Sequence, residues 1–208
     1  MMRQQLQVML ALQDEINTLV SDNWREQNHA WYRAIWVESA ELLDHYGWKW
    51  WKKQQPDLDQ VKLELVDIWH FGLSLELQQG SPEQVAGRMQ AEFEGRQKGP
   101  GDFRENLEAF TLETLASRQF DLAGFTQLMA DVELSFEELY RRYVGKNILN
   151  RFRQDHGYKD GSYVKNWAGR EDNEHLAELA GQLDTGASDY SRQLYTALQS
   201  RYRELAVA

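Results

Sequence analysis

The chain has no cysteine among its 208 residues, and this absence limits its chemistry. Without thiols there is no disulfide framework, no thiolate metal ligand and no cysteine nucleophile. A chain of this length can nevertheless bury a hydrophobic core without such cross-links. The remaining functional groups are carboxylates, imidazoles, amides, hydroxyls and cationic side chains.

Proline and positive charge are also scarce. The chain has only 3 prolines, which favours helix because proline interrupts helices. Its 33 acidic residues outnumber 23 basic ones and give a formal net charge of −10. Such a charge disfavours non-specific binding to nucleic acid or to an anionic membrane, so we expect neither as a partner.

Long apolar runs are missing as well. Residues 1–20 mix polar and apolar side chains, unlike a secretion signal. No apolar run approaches the roughly 18 residues needed to span a membrane. We therefore expect a soluble, cytoplasmic protein.

Apolar residues recur at spacings of three and four along most of the chain, and this pattern predicts an all-α fold, a multi-helix bundle. We expect residues 1–208 to form a single domain. The glycine-bearing segment 157–170 is predicted to be a loop. Helices are predicted at about 6–20, 29–46, 57–79, from 81 to the break at 99–101, 103–118, 122–131, 135–156, from 172, and 188–206.

Two of these helices carry acidic stripes. In the largely apolar helix 61–77, four polar residues step by three, three and four, which places them on one face; they are Glu64, Asp67, His70 and Ser74. The preceding helix has a similar stripe of Glu38 and Glu41 with either Asp44 or His45. Because consecutive helices in a bundle normally pack together, we expect the carboxylates of the two stripes to meet.

Four carboxylates enclosed together cannot all stay ionised unless a cation or shared protons compensate them. An all-oxygen ligand set suits a hard ion, Mg²⁺ in particular. The alternative is that each stripe is the solvated face of a partly buried helix. The presence of both stripes on adjacent helices favours the metal site.

Three further groups can bind parts of a nucleotide. Lys146, Asn150 and Arg153 share one helix face, and Lys159 and Lys165 follow in the loop; such cations suit a polyphosphate, although they can also be ordinary surface charges. Gln13 and Asn17 stand one turn apart and offer amides that can read a base edge. Trp48, Trp50 and Trp51 lie in a lysine-bearing loop. Their rings can form a wall for a sugar or base, or they can pack against a partner.

With these motifs the chain resembles the dimeric, all-α dUTPases, which belong with the all-α nucleoside triphosphate pyrophosphatases. The resemblance covers residues 10–175. It is carried by the segment Gln13–Asn17, by Glu38-Ser39-Ala40-Glu41 with Glu64-Leu65-Val66-Asp67, and by residues 146–153 with 157–159 and 161–173.

The resemblance implies hydrolysis of dUTP to dUMP and pyrophosphate, with dUDP as a second substrate, by a homodimer whose four-helix core binds Mg²⁺. The expected metal-binding and catalytic residues are Glu38, Glu41, Glu64 and Asp67, with Glu41 or Glu38 as the base. The base and sugar are expected to contact Gln13, Asn17, Trp51, His70 and Asn150. The phosphates are expected to contact Lys146, Arg153, Tyr158, Lys165 and Asn173. Residues 83–131 and the helices of 176–208 are expected to serve packing or dimerisation.

The sequence also allows three rival interpretations. The substrate can be another nucleotide such as dCTP. The pair Asp67 and His70 also suggests a ferritin-like metal bundle, although such sites usually use two Glu-x-x-His motifs. Finally, the acidic stripes can lie on the surface of a helical interaction protein without enzymatic activity.

Overall fold

The computed structural model describes residues 1–95, 99–187 and 189–205. Within these ranges the chain forms nine α-helices and one antiparallel pair of two-residue strands, which confirms the all-α prediction. The helices are α1 Met2–Val20, α2 Trp31–Tyr46, α3 Leu58–Leu77, α4 Pro82–Gly95, α5 Phe103–Ser117, α6 Leu122–Asp131, α7 Phe136–Asp155, α8 Asp172–Gly181 and α9 Tyr190–Leu205; the strands are β1 Asn166–Trp167 and β2 Arg170–Glu171.

The residues that the sequence predicts to begin or end helices have these roles in the structure. Gly47 follows α2 with a φ of +91°, a conformation that glycine adopts without steric cost. The Asp57 side chain accepts a hydrogen bond from the Gln60 amide and so caps α3. Pro82 is the first residue of α4, where its missing N–H is no loss.

The small hairpin corrects the prediction that 157–170 is only loop. Its turn is formed by Ala168 and Gly169, both with positive φ, as tight hairpin turns require. Two-residue strands are too short to show an alternating pattern, so the sequence gave no signal for them. The expected last helix is observed as α9, and its predicted end positions, 188 and 206, lie outside the described residues.

The chain comprises two compact units, Met1–Tyr140 and Arg141–Ala208, and the boundary between them falls within α7. The single domain expected from the sequence stays a prediction. None of the described helices combines the length and apolarity needed to cross a bilayer.

The core of the first unit is built around α3, which is buried on most sides, as its apolar composition predicts. Trp69 of this helix stacks on Phe125 at 5.1 Å and meets Phe120 edge-on at 6.0 Å. Gly72 lets the Phe120 ring approach closely, since a Cβ there would lie 2.7 Å from it. This packing fixes α3 and therefore the polar stripe along it.

An aromatic cluster forms the core of the second unit. Phe152 of α7 meets Trp167 of the hairpin at 6.0 Å and Tyr202 of α9 at 5.4 Å. His175 of α8 stacks on Trp167 at 5.1 Å. These contacts join α7, the hairpin, α8 and α9 into one body.

Candidate functional site

The two acidic stripes meet where α2 packs along α3. Glu38 and Glu41 of α2 and Glu64 of α3 each bring one carboxylate oxygen within 4.8 Å of the others. Asp67 is not part of this group of three, but its charge acts on Glu38. We call these four residues the carboxylate cluster.

The carboxylate cluster lies at the edge of the helix pair and is not fully enclosed. Glu64 is 9% exposed, Glu38 and Asp67 are half-buried, and Glu41 is exposed. This differs from the expectation that all four carboxylates are enclosed. The physical reason is the position of Glu41 on α2, where its neighbours Val37 and Ala40 also face outward, so the cluster opens to solvent on that side.

Glu38 has a strongly perturbed pKa. Burial, the negative charge of Asp67, a hydrogen bond with Glu64 and the charges of Glu41 and Glu64 raise its pKa from 4.5 to about 7. A hydrogen bond between two carboxyl groups requires that one of them holds a proton. At pH 7, therefore, about half of the metal-free molecules hold a proton that Glu38 shares with Glu64.

A histidine adjoins the carboxylate cluster. The sequence left open whether Asp44 or His45 continues the stripe of α2. His45 does, because its Nε2 lies 3.5 Å from Glu64 Oε1. Asp44 turns away and accepts a hydrogen bond from Trp48 Nε1 at 3.0 Å. That bond and the nearby Lys49 lower the pKa of Asp44 below its usual range.

The carboxylate cluster fits a hard divalent cation. In octahedral coordination with Mg–O distances of about 2.1 Å, ligand oxygens lie about 3 to 4 Å apart. Three carboxylate oxygens already within 4.8 Å of one another need only small side-chain movements to reach this spacing. Cation binding would also remove the repulsion that raises the pKa of Glu38.

Four polar residues on α1 and α3 form a second feature, the amide network. Gln13 Nε2 donates to Asn17 Oδ1 at 3.0 Å and to Ser74 Oγ at 3.1 Å, and Asn17 Nδ2 donates to Ser74 Oγ at 2.9 Å. Gln13 Oε1 lies 2.9 Å from His70 Nδ1. All four residues are buried. The structure thus unites Gln13, Asn17 and His70, and it adds Ser74, which the sequence placed only on the stripe.

Trp51, the candidate wall for the sugar or base, lies in the loop 47–57 and is 58% exposed. Its ring makes edge contacts with Trp48 at 5.3 Å and with Trp50 at 5.6 Å. The loop is attached to α5 by Arg104, whose Nε donates to the Gly47 carbonyl at 2.7 Å. Exposed indole rings on an anchored loop remain available to a ligand or a partner.

The second unit contains the predicted phosphate-binding residues, and Arg153 is the most constrained of them. Its Nε and Nη2 each donate to a different carboxylate oxygen of Asp172 at 2.8 Å. Asp172 is completely buried and also accepts from the Tyr163 hydroxyl at 2.8 Å. The third nitrogen, Nη1, lies 3.4 Å from Asn150 Oδ1. Arg153 and Asn150 are therefore neighbours, as predicted.

Asp172 is a residue whose role the sequence did not indicate beyond the start of a helix. Burial alone would raise its pKa, but the hydrogen bonds from Arg153 and Tyr163 outweigh burial, and the pKa is lowered. An aspartate at the beginning of a helix is typical of capping. The sequence therefore offered no signal that this carboxylate pairs with a residue on another helix.

The other predicted phosphate-binding residues lie nearer the surface. Lys146 on α7 is half-buried, and Tyr158 in the loop after α7 is exposed. Lys165 is exposed and pairs with Glu171 at 3.1 Å. Asn173 is exposed in the first turn of α8.

Comparison with known families gives a match over most of the chain. A family model described as dUTPase matches residues 5–158, about three quarters of the chain. The matched segment contains the carboxylate cluster, the amide network and the predicted phosphate-binding residues up to Tyr158, whereas Lys165 and Asn173 lie beyond it. No curated protein matches the chain. The extent of this match and the all-α fold show that the chain belongs to the all-α dUTPase family, the enzymes that hydrolyse dUTP.

Proposed function

We propose that this dUTPase converts dUTP to dUMP and pyrophosphate in a reaction that requires Mg²⁺ bound by the carboxylate cluster. The observation that carries this proposal is the convergence of Glu38, Glu41 and Glu64, with oxygens within 4.8 Å of one another. Asp67, close enough to act on Glu38, completes the ligand set. Mg²⁺ prefers oxygen ligands, usually carboxylates together with waters and substrate phosphate oxygens.

The bound cation would offset phosphate charge and lower the pKa of a coordinated water. The chain's own part is to hold the carboxylates in place and to accept a proton. Glu38 or Glu41 serves as the base that takes the proton of the attacking water. Glu38 is available for this role because a bound cation would displace its proton and leave the carboxylate ionised, ready to accept one.

In this proposal the nucleoside is bound by Gln13, Asn17 and His70 of the amide network and by Trp51. Asn150 is a further proposed contact of the nucleoside. Amides supply both donors and acceptors to a base edge, and the indole of Trp51 offers a flat apolar face. Gln13, Asn17 and His70 are already held in one hydrogen-bonded group, which keeps their polar atoms oriented before a substrate arrives.

The residues proposed to contact the phosphates are Lys146, Arg153, Tyr158, Lys165 and Asn173. Local cations are needed because the chain has a net charge of −10 and would otherwise repel a triphosphate. Asp172 fixes the position of Arg153 through Nε and Nη2, and Nη1 donates to Asn150 Oδ1. The hydrogens of Nη1 and Nη2 that these bonds leave unused are the ones proposed to contact a phosphate.

Three finer points complete the proposal. The enzyme also accepts dUDP, which has the same base and sugar. It acts as a homodimer, because α2 exposes Trp36 and Val37, which are 55% and 52% accessible in one chain. It works in the cytoplasm, where no disulfide chemistry is required.

The test is a pyrophosphate-release assay with purified protein, Mg²⁺ or a chelator, and a panel of dUTP, dUDP, dCTP and dTTP. Glu64→Gln keeps the side-chain shape but removes one ligand charge. We expect it to lower kcat about 10- to 100-fold, the loss typical of changes to residues around a bound metal. Glu76→Gln is the matched control, because Glu76 lies on the same helix and pairs with Arg88 at 2.8 Å.

The expected result is turnover of dUTP that stops when the metal is chelated, with Glu76→Gln close to wild type. Equal loss in both variants would show that α3 tolerates no charge removal and would discredit the metal assignment. Full activity in the presence of chelator would contradict the Mg²⁺ requirement. Faster turnover of dCTP would contradict the proposed recognition of uracil.

A further inference from the structure

Ser74 stands at the centre of the amide network, although no role in binding metal, base or phosphate has been assigned to it. It lies on α3 one turn after His70 and is 0% exposed. Its hydroxyl donates to the His70 carbonyl oxygen at 3.1 Å. It accepts from Gln13 Nε2 at 3.1 Å and from Asn17 Nδ2 at 2.9 Å. A hydroxyl has one hydrogen and two lone pairs, so its bonding capacity is filled.

This arrangement fixes the orientation of both amides. An amide can face a partner with its NH₂ group or with its oxygen, and the two have nearly the same shape. Because the Ser74 hydrogen is directed to a backbone carbonyl, its oxygen can only accept. Both amides therefore turn their NH₂ groups toward Ser74.

The orientation then propagates from group to group. Asn17 Oδ1 accepts the second hydrogen bond of Gln13 Nε2, at 3.0 Å. Gln13 Oε1 faces His70 Nδ1 at 2.9 Å, and since an oxygen cannot donate, Nδ1 carries the hydrogen. One hydroxyl thus determines the donor and acceptor atoms of three side chains.

We propose that Ser74 is a positioning residue that determines base specificity, because its hydroxyl fixes which atoms of Gln13 and Asn17 face the nucleobase. This role rests on the proposed function, in which these amides read uracil. Uracil presents an N–H and two carbonyl oxygens, whereas cytosine replaces the N–H by an acceptor and one carbonyl by an amino group. A site with fixed polarity matches one pattern and leaves buried polar atoms unpaired with the other. Amides free to turn over can accept both bases.

The position of Ser74 on α3 allows a single ligand to contact the polar stripe of this helix from Glu64 to Ser74. Ser74 follows Asp67 by seven residues, which corresponds to about 10 Å along the helix axis. The carboxylate cluster and the amide network therefore occupy successive parts of one helix face. This is the order in which the phosphates, sugar and base of a nucleotide follow one another.

The experiment compares kcat/KM for dUTP and for dCTP in the full chain with Mg²⁺. We expect Ser74→Ala to lower the ratio of the two values at least about tenfold, the factor that corresponds to one buried hydrogen bond. The loss should appear in KM for dUTP, while kcat for dUTP stays within about threefold, since the residue is remote from the reacting phosphate. Ser74→Thr keeps the hydroxyl and should restore most of the ratio.

Ser39→Ala is the matched control. Ser39 is 4% exposed and its hydroxyl also donates one turn back, to the Ile35 carbonyl at 2.7 Å. It lies on α2, and any effect on the neighbouring Glu38 would alter the turnover of both nucleotides equally. The ratio should therefore stay at the wild-type value.

An unchanged ratio in Ser74→Ala overturns the role of Ser74, and so does an equal fall in Ser39→Ala. Both leave the proposed function intact as long as the wild type prefers dUTP. A wild type that prefers dCTP overturns the proposed function and this role together. If Ser74→Ala does not fold, ¹⁵N NMR of the wild type decides: a neutral His70 with its hydrogen on Nδ1 supports the network polarity, and a hydrogen on Nε2 overturns it.

Discussion

Binding of Mg²⁺ to this protein should displace a proton from Glu38. In the metal-free state the pKa of Glu38 is about 7, because burial and the neighbouring carboxylates disfavour its charge. A carboxylate binds a divalent cation in its ionised form, so protons and Mg²⁺ compete for Glu38. With that pKa, Glu38 is ionised to about 9% at pH 6 and to about 91% at pH 8. We therefore expect the apparent dissociation constant of Mg²⁺ to fall about tenfold between these pH values.

Isothermal titration calorimetry in two buffers with different enthalpies of protonation measures the effect directly. At pH 7 the binding of one ion should release about half a proton from Glu38. Glu38→Gln removes the titrating group and should abolish this release. His45→Gln is the control for the other titratable neighbour, which lies 3.5 Å from Glu64, and it should retain the release.

Two results would refute this account of Glu38. The first is a dissociation constant that is the same at pH 6 and pH 8 with no proton released. The second is proton release that persists in Glu38→Gln and disappears in His45→Gln, since the proton would then come from the imidazole.

Three further outcomes concern stability and can be measured by urea or thermal unfolding. Because the pKa of Glu38 is raised, the folded, metal-free protein binds a proton more tightly than the unfolded chain. The free energy of unfolding should therefore fall as the pH rises from 4.5 to about 7, and Mg²⁺ should reverse this fall. Gly72→Ala should destabilise the protein by about 1 to 3 kcal/mol, because the new methyl group would lie 2.7 Å from the Phe120 ring. Its control, Gly87→Ala, has 3.7 Å to the nearest neighbour and should stabilise the protein by about 0.5 to 1 kcal/mol. Asp172→Asn should cost about 2 to 4 kcal/mol at pH 7. The control Glu178→Gln, which breaks exposed ion pairs, should cost much less. Because the pKa of Asp172 is lowered on folding, its contribution is present above the ordinary carboxylate pKa of 3.8 and should vanish as the pH falls further.

The contradicting results for these variants are equally definite. The free energy of unfolding of the metal-free protein could instead rise between pH 5 and pH 7, and do so only when Glu38 is intact. That result would show that folding lowers the pKa of Glu38 and does not raise it. A Gly72→Ala protein as stable as Gly87→Ala would show that the core around α3 has room for a methyl group. An Asp172→Asn variant no less stable than Glu178→Gln would show that the buried ion pair contributes nothing.

The helical pattern and the two acidic stripes could be predicted from the sequence because both depend on spacing along one helix. Glu64, His70 and Ser74 share a face of α3 whatever lies next to it. Even the pairing of α2 with α3 follows from their succession in the chain. The two-strand hairpin at 166–171 was missed since its strands have no periodicity.

Burial and partner choice could not be predicted in the same way. Nothing in the sequence distinguishes Arg153, which is paired with the buried Asp172, from Lys165, which is paired on the surface. The same holds for Asp44 and His45, of which only His45 approaches Glu64. Such differences depend on where other helices pass.

The sequence by itself determined the helices, the residue types on each face and the family of the chain, because these depend on local spacing and on the order of motifs. Only the tertiary structure decided which carboxylates lie within reach of one ion, which pKa rises, and that Ser74 joins Gln13 to Asn17. Those properties are distances between side chains far apart in the chain, and packing of the helices sets them. The shared proton of Glu38 and the fixed polarity of the amide network are therefore consequences of the fold.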